Sequence, residues 1–495
     1  MFGNWLLSKL AADYEHRILA LDPDELIRRC GLKDELKKRS FDIIVMDEMN
    51  PIEFRYKYES EYRNRDRKVL YLVHKPLETF IPYDIRNQCY EVHLDYESLF
   101  PKLNAAVLRQ AKSIDLSLLY LAYQNDFGGY RGEEETRTFL KHDMYSRQNA
   151  DEYAKWLCDR IRDRIDSARH YEDWFAIAKQ WAALRMLRDG GFANVNLGSL
   201  LISLERAFKE WLMNNYKRLS ASYHADSPVM LHKTNEYIHF RGNKLALIVV
   251  DGMSLVNWLT FEKEDDVPGF SYDVSCVFAF IPTITAVSRL SLFSGKLPSE
   301  MSKPFVLANE EKEWRAYWKQ YGYKEQEIAY LRGTDCEIPS SVKVAGIVVN
   351  TIDNIMHGQI QGQSGMFRDT VSWSKSGELQ ALILRLLERD MRVFITSDHG
   401  NMEAIGQGRP SGEGILTEVA GQRCRIYQEF ADTAYIESTF RTIPFPAVYL
   451  PKDFQYILSE EGLSFQARGK TAICHGGMSL EEVIVPFIQV KGVSV

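Results

Sequence analysis

The 495-residue sequence contains no cysteine pair spaced as C-x-x-C. Its seven cysteines, at 30, 89, 158, 276, 336, 424 and 474, are scattered and odd in number. That excludes a disulfide framework or a thiolate zinc site and predicts reduced, mostly buried thiols. Long hydrophobic runs are missing as well. Stretches such as Leu245 to Val250 fall far short of the roughly 20 residues a spanning helix needs, so no membrane partner is expected. Met1 to Leu10 lacks a basic n-region and runs on into the charged stretch Asp13 to Arg17. No signal peptide is read there, and a cytoplasmic location is the expectation. An excess of positive charge is absent too: 61 Lys and Arg stand against 68 Asp and Glu, a formal charge of −7. No global basic field therefore draws the protein to a polyanion, which has to be held by local cations. Arg289, Lys296, Arg468 and Lys470 are the candidates beside the motifs described below.

What is present is an ordinary globular composition, 45% apolar and 26% charged, long enough for two or three domains. In the first hundred residues, Ile18–Leu21, Phe41–Met46, Val69–Val73 and Glu91–Leu94 are β-branched, apolar and separated by charged stretches. They predict the strands of a small parallel α/β domain over 1–104. Asp47, at the end of the second run, looks like a receiver phosphoacceptor. Without a downstream Thr and Lys at strand ends, the segment reads instead as a Rossmann-like docking domain. Over 105–238 the period becomes 3.6, with Trp174, Ile177, Ala178, Trp181 and Leu184 on one helical face. Asp189-Gly190-Gly191 stops that helix, and Leu201, Leu204, Phe208, Trp211 and Leu212 stripe the next. These stripes are read as core. After Asp226-Ser227-Pro228 strand signals return at Leu245–Val250, Gly346–Val349, Val393–Thr396, Ala447–Leu450 and Val483–Ile488. They predict a larger α/β domain over 239–495, with Gly406–Gly421 as a Gly-rich surface loop.

Five features of this last part set a metal-capable or nucleophilic side chain at or after a strand, where the ligands of open α/β sheets bind. Asp251 ends LALIVVDGM. Thr283 and Thr285 lie in PTITAVSR at the start of an apolar helical run, where free N–H groups and the helix dipole favour a nucleophile facing phosphate. Asp353 and His357 lie four apart after a strand, on one helical face. Asp398 and His399 are adjacent ligand types in TSDHG. His475, in CHGG, precedes Ser479-Leu480-Glu481-Glu482, a capping box. Taken singly, each has a plain alternative as a helix cap or surface pair. Together they amount to three Asp, three His and a Thr, the two ligand sets and bridging hydroxyl of a two-metal phosphoryl-transfer site. The mixed N/O ligation suits zinc or manganese better than calcium.

The order D-G, T-x-T, D-x-x-x-H, D-H-G, H-G-G resembles the PglZ domain of the alkaline phosphatase superfamily, on the phrases VVDGM, PTITAVSR, TSDHGNME and CHGGMSLEEVIVP. Less sharply, LALDPDELI, FRYKYE, IPYD and LFPKL resemble the front of PglZ proteins from bacteriophage exclusion (BREX) defence systems. The resemblance implies an alkaline-phosphatase-like α/β sandwich, with one metal served by Asp251, Thr285, Asp398 and His399 and the other by Asp353, His357 and His475. It makes Thr285 the nucleophile. It also implies a phosphodiesterase or nuclease acting on nucleotides or oligonucleotides, working with other defence-system proteins. Where the nucleotide pyrophosphatase branch carries an Asn after T-x-T, this chain has Ser288 and then Arg289, and Arg289 is the expected phosphate clamp. The alternatives are a scaffold subunit of a defence complex, or a phosphomonoesterase or sulfatase.

Overall fold

A computed structural model describes residues 1–48, 50–63, 66–75, 81–112, 114–225, 227–411, 415–416, 421–429, 431 and 433–492. Asp226 and much of the expected loop Gly406–Gly421, namely 412–414 and 417–420, lie outside the described residues. The chain divides into two compact units, Met1–Tyr153 and Ala154–Val495.

In the first unit the apolar runs become β1 (Arg17–Leu21), β2 (Phe41–Val45), β3 (Lys68–Val73) and β4 (Tyr90–His93). They form a parallel sheet in the order β2-β3-β1-β4. Leu19, Ile44, Val69, Tyr71 and Val73 pack into its core with Phe54 and Ile85. Asp47 accepts from the N–H groups of His74 at 2.7 Å and Lys75 at 3.1 Å, with the His74 Nδ1 also 3.1 Å away. It serves as a turn-closing carboxylate.

In the second unit the strands are β5 (Leu245–Val250), β6 (Phe270–Phe278), β7 (Ile328–Arg332), β8 (Val344–Val349), β9 (Arg392–Thr396), β10 (Met402–Gly406), β11 (Cys424–Gln428), β12 (Thr442–Phe445), β13 (Phe454–Ser459), β14 (Leu463–Ser464), β15 (Thr471–Cys474) and β16 (Ile484–Gly492). Six of them make the main sheet, β6-β16-β9-β5-β8-β7. The neighbours β9, β5, β8 and β7 run parallel, while β16 is antiparallel to both β6 and β9. Every residue of β5 and β8 is buried, which is why these segments read as continuous apolar runs. Two three-stranded sheets, β14-β10-β15 and β11-β13-β12, complete the α/β architecture.

The aromatic stripes lie on helices Tyr171–Asp189 and Gly198–Leu219, where Trp174, Trp181, Leu204 and Phe208 are buried. None of the described helices is long and apolar enough to cross a membrane. The expected strand at Ala447–Leu450 is not formed. Val448 and Tyr449 turn, and Tyr449 takes a positive φ of 65°. Pro446 and Pro451 bracket the segment and remove ladder donors, and the Tyr449 hydroxyl is drawn away to donate to Tyr216 O at 2.8 Å.

One buried acid in this unit has a measurable consequence. Glu205, 4% exposed, accepts the Leu480 N–H at 3.3 Å beside Glu481 and Glu482. Burial, reinforced by the Glu481 charge, pushes its carboxyl up to about 8. The folded state then holds a proton that the unfolded chain has already released. The stability Glu205 contributes is full below its ordinary value of 4.5 and is lost as the pH rises towards 8. Glu205→Gln should flatten this dependence and melt higher than wild type near the upper end. Melting curves across that range check it, and parallel pH slopes in the two proteins would contradict it.

Candidate metal centre

The three parallel strands at the middle of the main sheet, β9, β5 and β8, end side by side, and each delivers ligand-type side chains from its carboxyl end. Asp251 follows β5, Asp398 and His399 follow β9, and Asp353 and His357 lie on helix Thr351–Gly358 directly after β8. His475 follows β15, in the small sheet that pairs β15 with β10. The structure thus gathers two groups: Asp251, Asp398 and His399, and Asp353, His357 and His475. Within each group one ligand atom per residue lies within 4.8 Å of the others. The groups adjoin through stacked His399 and His475 rings, 4.0 Å apart and 10° from parallel.

Orientation comes from the backbone. The His399 Nδ1 lies 2.9 Å from Gly400 O and the His475 Nδ1 lies 2.8 Å from Thr283 O. A ring nitrogen facing a carbonyl must carry a proton, which makes Nε2 the ring atom each histidine turns toward the ligand groups. Burial, helped by His399, pushes His475 down to about 3, so its ring is neutral. Burial pushes Asp398 up to about 6, and burial with the neighbouring Asp398 charge pushes Asp251 up to about 8. Asp353 behaves otherwise. Burial raises it, but the hydrogen bond and charge of His357 outweigh that and hold the carboxyl below its ordinary value.

The donor set fits a cation. Asp398 Oδ1 accepts from the N–H groups of Gly252 and His399, both at 3.1 Å. Asp398 Oδ2 and Asp251 Oδ1, by contrast, are buried with no hydrogen-bond partner among the described residues. Two orphaned buried carboxylate oxygens are costly unless positive charge joins them.

Thr285 is the first residue of helix Thr285–Ser294, and its Oγ1 lies 3.1 Å from His399 Nε2. Thr283 is fully buried. Its hydroxyl donates to Gly477 O and accepts from the Gly476 N–H, both at 3.0 Å. Of the two threonines, Thr285 faces the ligand groups and Thr283 pins the His475 turn.

Arg289 does not stand where a phosphate clamp must. It is 1% exposed. Its Nε and one terminal nitrogen donate to the two Glu310 oxygens at 2.7 and 3.2 Å, and the other terminal nitrogen donates to Asp251 Oδ2 at 2.5 Å. With both edges of the guanidinium engaged by carboxylates, Arg289 positions Asp251 and balances its charge.

Sequence reasoning also missed the groups that shape the turns. The Ser397 hydroxyl accepts from the Met253 N–H at 2.8 Å and donates to His399 O at 2.6 Å. Asn401 donates to Gly252 O at 2.8 Å. Glu482 was visible only as a helix cap. It accepts from Ser479 and from the Gly477 N–H at 2.8 Å, and also pairs with buried Arg423. Gly400 is required because a Cβ there would meet Glu481 O at 1.9 Å. At Gly476 the backbone takes φ 110°, which disfavours any side chain. A DHG or HGG phrase signals such turns, but nothing local signals Arg423 or Glu310 as partners.

A family model described as the BREX system PglZ alkaline phosphatase-like domain matches residues 232–490. The comparison with curated proteins gives no match. Among solved structures, murine ectonucleotide pyrophosphatase/phosphodiesterase 5 is 12% identical with a TM-score of 0.36, covering 51% of this chain and 88% of its own. The human ectonucleotide pyrophosphatase/phosphodiesterase 5 is 12% identical with a TM-score of 0.35, covering 50% of this chain and 88% of its own. Phosphonoacetate hydrolase from Sinorhizobium meliloti 1021, in complex with phosphonoformate, is 11% identical with a TM-score of 0.33, covering 50% and 89%.

Proposed function

We propose, because this chain belongs to the PglZ family of BREX-system alkaline phosphatase-like domains, that within the phosphoesterase class it is a two-metal phosphodiesterase or nuclease with Thr285 as nucleophile. The observation that carries this reading is the pair of orphaned buried oxygens, Asp251 Oδ1 and Asp398 Oδ2, in the group that includes His399, the residue Thr285 faces. Asp251, Thr285, Asp398 and His399 would hold one divalent ion, and Asp353, His357 and His475 the other; zinc is the first candidate and manganese the second. When bound, such ions supply positive charge to developing oxyanions and lower the proton affinity of a coordinated hydroxyl.

The chain's own residues account for the rest. Thr285 Oγ1 forms a bond to phosphorus while the bond to the leaving alcohol breaks, and water then cleaves the phosphothreonyl ester. The N-terminal turn of helix Thr285–Ser294 has N–H groups without intrahelical partners, and these face the charge that builds on the phosphoryl oxygens. Arg289 orients Asp251 and opposes the burial that pushes its carboxyl up. Under the same proposal the chain acts in the cytoplasm beside other defence-system proteins, and its parts divide at 104/105 and 238/239.

The deciding experiment is hydrolysis of an aryl phosphodiester, an aryl phosphomonoester, an aryl sulfate and short DNA, side by side with zinc or manganese. The diester and DNA should be cleaved fastest. Preference for the monoester or sulfate would reassign the substrate, and inactivity on all four would favour a scaffold. Metal content tests the ligand set separately. The purified protein should carry close to two transition-metal ions and His475→Ala close to one, by elemental analysis. Unchanged content in the variant would remove His475 from the ligands.

A further inference from the structure

His357 lines a cavity of about 650 Å³ whose other walls come from strand β15, residues 421–425 and residues 465–470. That volume lies within the roughly 300–1,000 Å³ typical of small-ligand sites. The charge of its described lining is opposite to that of the whole chain. Arg409, Arg425 and Lys470 line it, and no Asp or Glu is among its described lining residues. Arg425 is half-buried and donates to Gly421 O at 2.5 Å and Cys424 O at 2.7 Å, so it adds fixed positive charge to the wall. Arg409 and Lys470 are exposed, and among the described residues neither has an anionic partner. In a protein of net charge −7, two cations that meet no anion among the described residues make this concavity a local anion site.

The remaining lining is not that of a bare phosphate pocket. The Gln422 carbonyl accepts from the His475 N–H at 3.4 Å, which leaves its NH₂ as a donor, and Gln466 adds a second amide. Ile360, 93% exposed, offers an apolar surface at the cavity. Amides for base edges and an apolar surface for a base face are reachable by a nucleoside only when its strand is unpaired.

We infer that this cavity receives the part of a single-stranded oligonucleotide that lies beyond the scissile phosphate, with Arg409 and Lys470 holding its next phosphate and Gln422, Gln466 and Ile360 facing its nucleoside. The inference rests on the phosphodiesterase reading above and names the substrate class for the same site.

The test uses the full-length, metal-replete protein, wild type and Arg409→Glu/Lys470→Glu. A fluorescein-labelled phosphorothioate trithymidylate, which keeps its charges and resists cleavage, reports binding by anisotropy. Bis(4-nitrophenyl) phosphate and unmodified trithymidylate report turnover. Charge reversal should weaken trinucleotide binding at least about tenfold and lower the slope of log affinity on log salt by about 1.4, for two contacts at about 0.7 each. The small diester should be cleaved within about twofold of wild type, since loss of uniform binding outside its reach leaves its rate alone. Arg409→Gln/Lys470→Gln should fall between the two. An unchanged Kd and slope would overturn the inference, as would equal losses on both substrates or equal wild-type affinity for thymidine monophosphate and the trinucleotide. If neither substrate is hydrolysed while charge reversal still abolishes trinucleotide binding, the cavity assignment stands and the hydrolytic reading falls.

Discussion

Thr285→Ala should lose at least about 10³-fold in kcat/KM on the best phosphodiester, about 4 kcal/mol of transition-state stabilisation, while its melting temperature and metal content stay close to wild type. The reason is geometric. Thr285 is half-buried at the start of its helix with its hydroxyl 3.1 Å from His399 Nε2, so removing the oxygen takes away the attacking atom and little packing. Thr285→Ser, which restores a hydroxyl, should recover part of the rate. Thr283→Ala is expected to cost only about tenfold, about 1.4 kcal/mol, because its hydroxyl bonds to Gly476 and Gly477 and acts through the His475 turn. A dead Thr283→Ala with an active Thr285→Ala would move the nucleophile by two residues. Full activity in both would replace the covalent step with direct attack by water.

The second large effect should fall on stability. Arg289 and Glu310 are each 1% exposed and joined by two hydrogen bonds, and Asp251 shares the guanidinium. Arg289→Met would leave Asp251 buried without its cation and Glu310 with only the Arg332 guanidinium, at 3.2 Å, as a cation among the described residues, and breaking a buried pair from one side costs about 3–5 kcal/mol. Denaturant titration in the presence of chelator should show that loss. Arg289→Met/Glu310→Leu should regain part of it, because it removes the Glu310 carboxylate and leaves only Asp251 without its partner. The single variant should also bind metal about 10–100-fold more weakly, since Asp251 loses the group that orients it. A double variant no more stable than the single would show that the pair is not the source of the loss. Unchanged metal affinity in a folded Arg289→Met would end its positioning role.

What the sequence by itself determined were features whose cause is local. The buried parallel strands were legible because both faces of β5 and β8 are covered, and only uninterrupted apolar residues satisfy that. The ligand-type side chains stood out because strand ends and glycine turns are short patterns. Asp251-Gly252, Asp398-His399-Gly400 and His475-Gly476-Gly477 announce themselves within three residues. Their distribution over two groups came from resemblance; the folded chain brings the Asp251, Asp398 and His399 group beside Asp353 and His357 because β9, β5 and β8 are neighbours in one sheet, while His475 arrives from β15 of another.

Only the tertiary structure decided what each charged side chain meets. Arg289 looked free to hold phosphate, since a guanidinium carries no local sign of its partner. Glu310, 21 positions away, claims it once their helices pack. Glu482 read as a helix cap because its tie to Ser479 is three residues long, whereas its pairing with Arg423, 59 residues away, depends on how β11 docks. The Ala447–Leu450 run was apolar enough for a strand, yet flanking prolines and the pull of Tyr216 on Tyr449 turned it. The cationic cavity beside His357 is assembled from four separate stretches of chain. Local pattern fixes which chemistry a residue carries, but long-range packing alone chooses the charge, carbonyl or open cavity it faces.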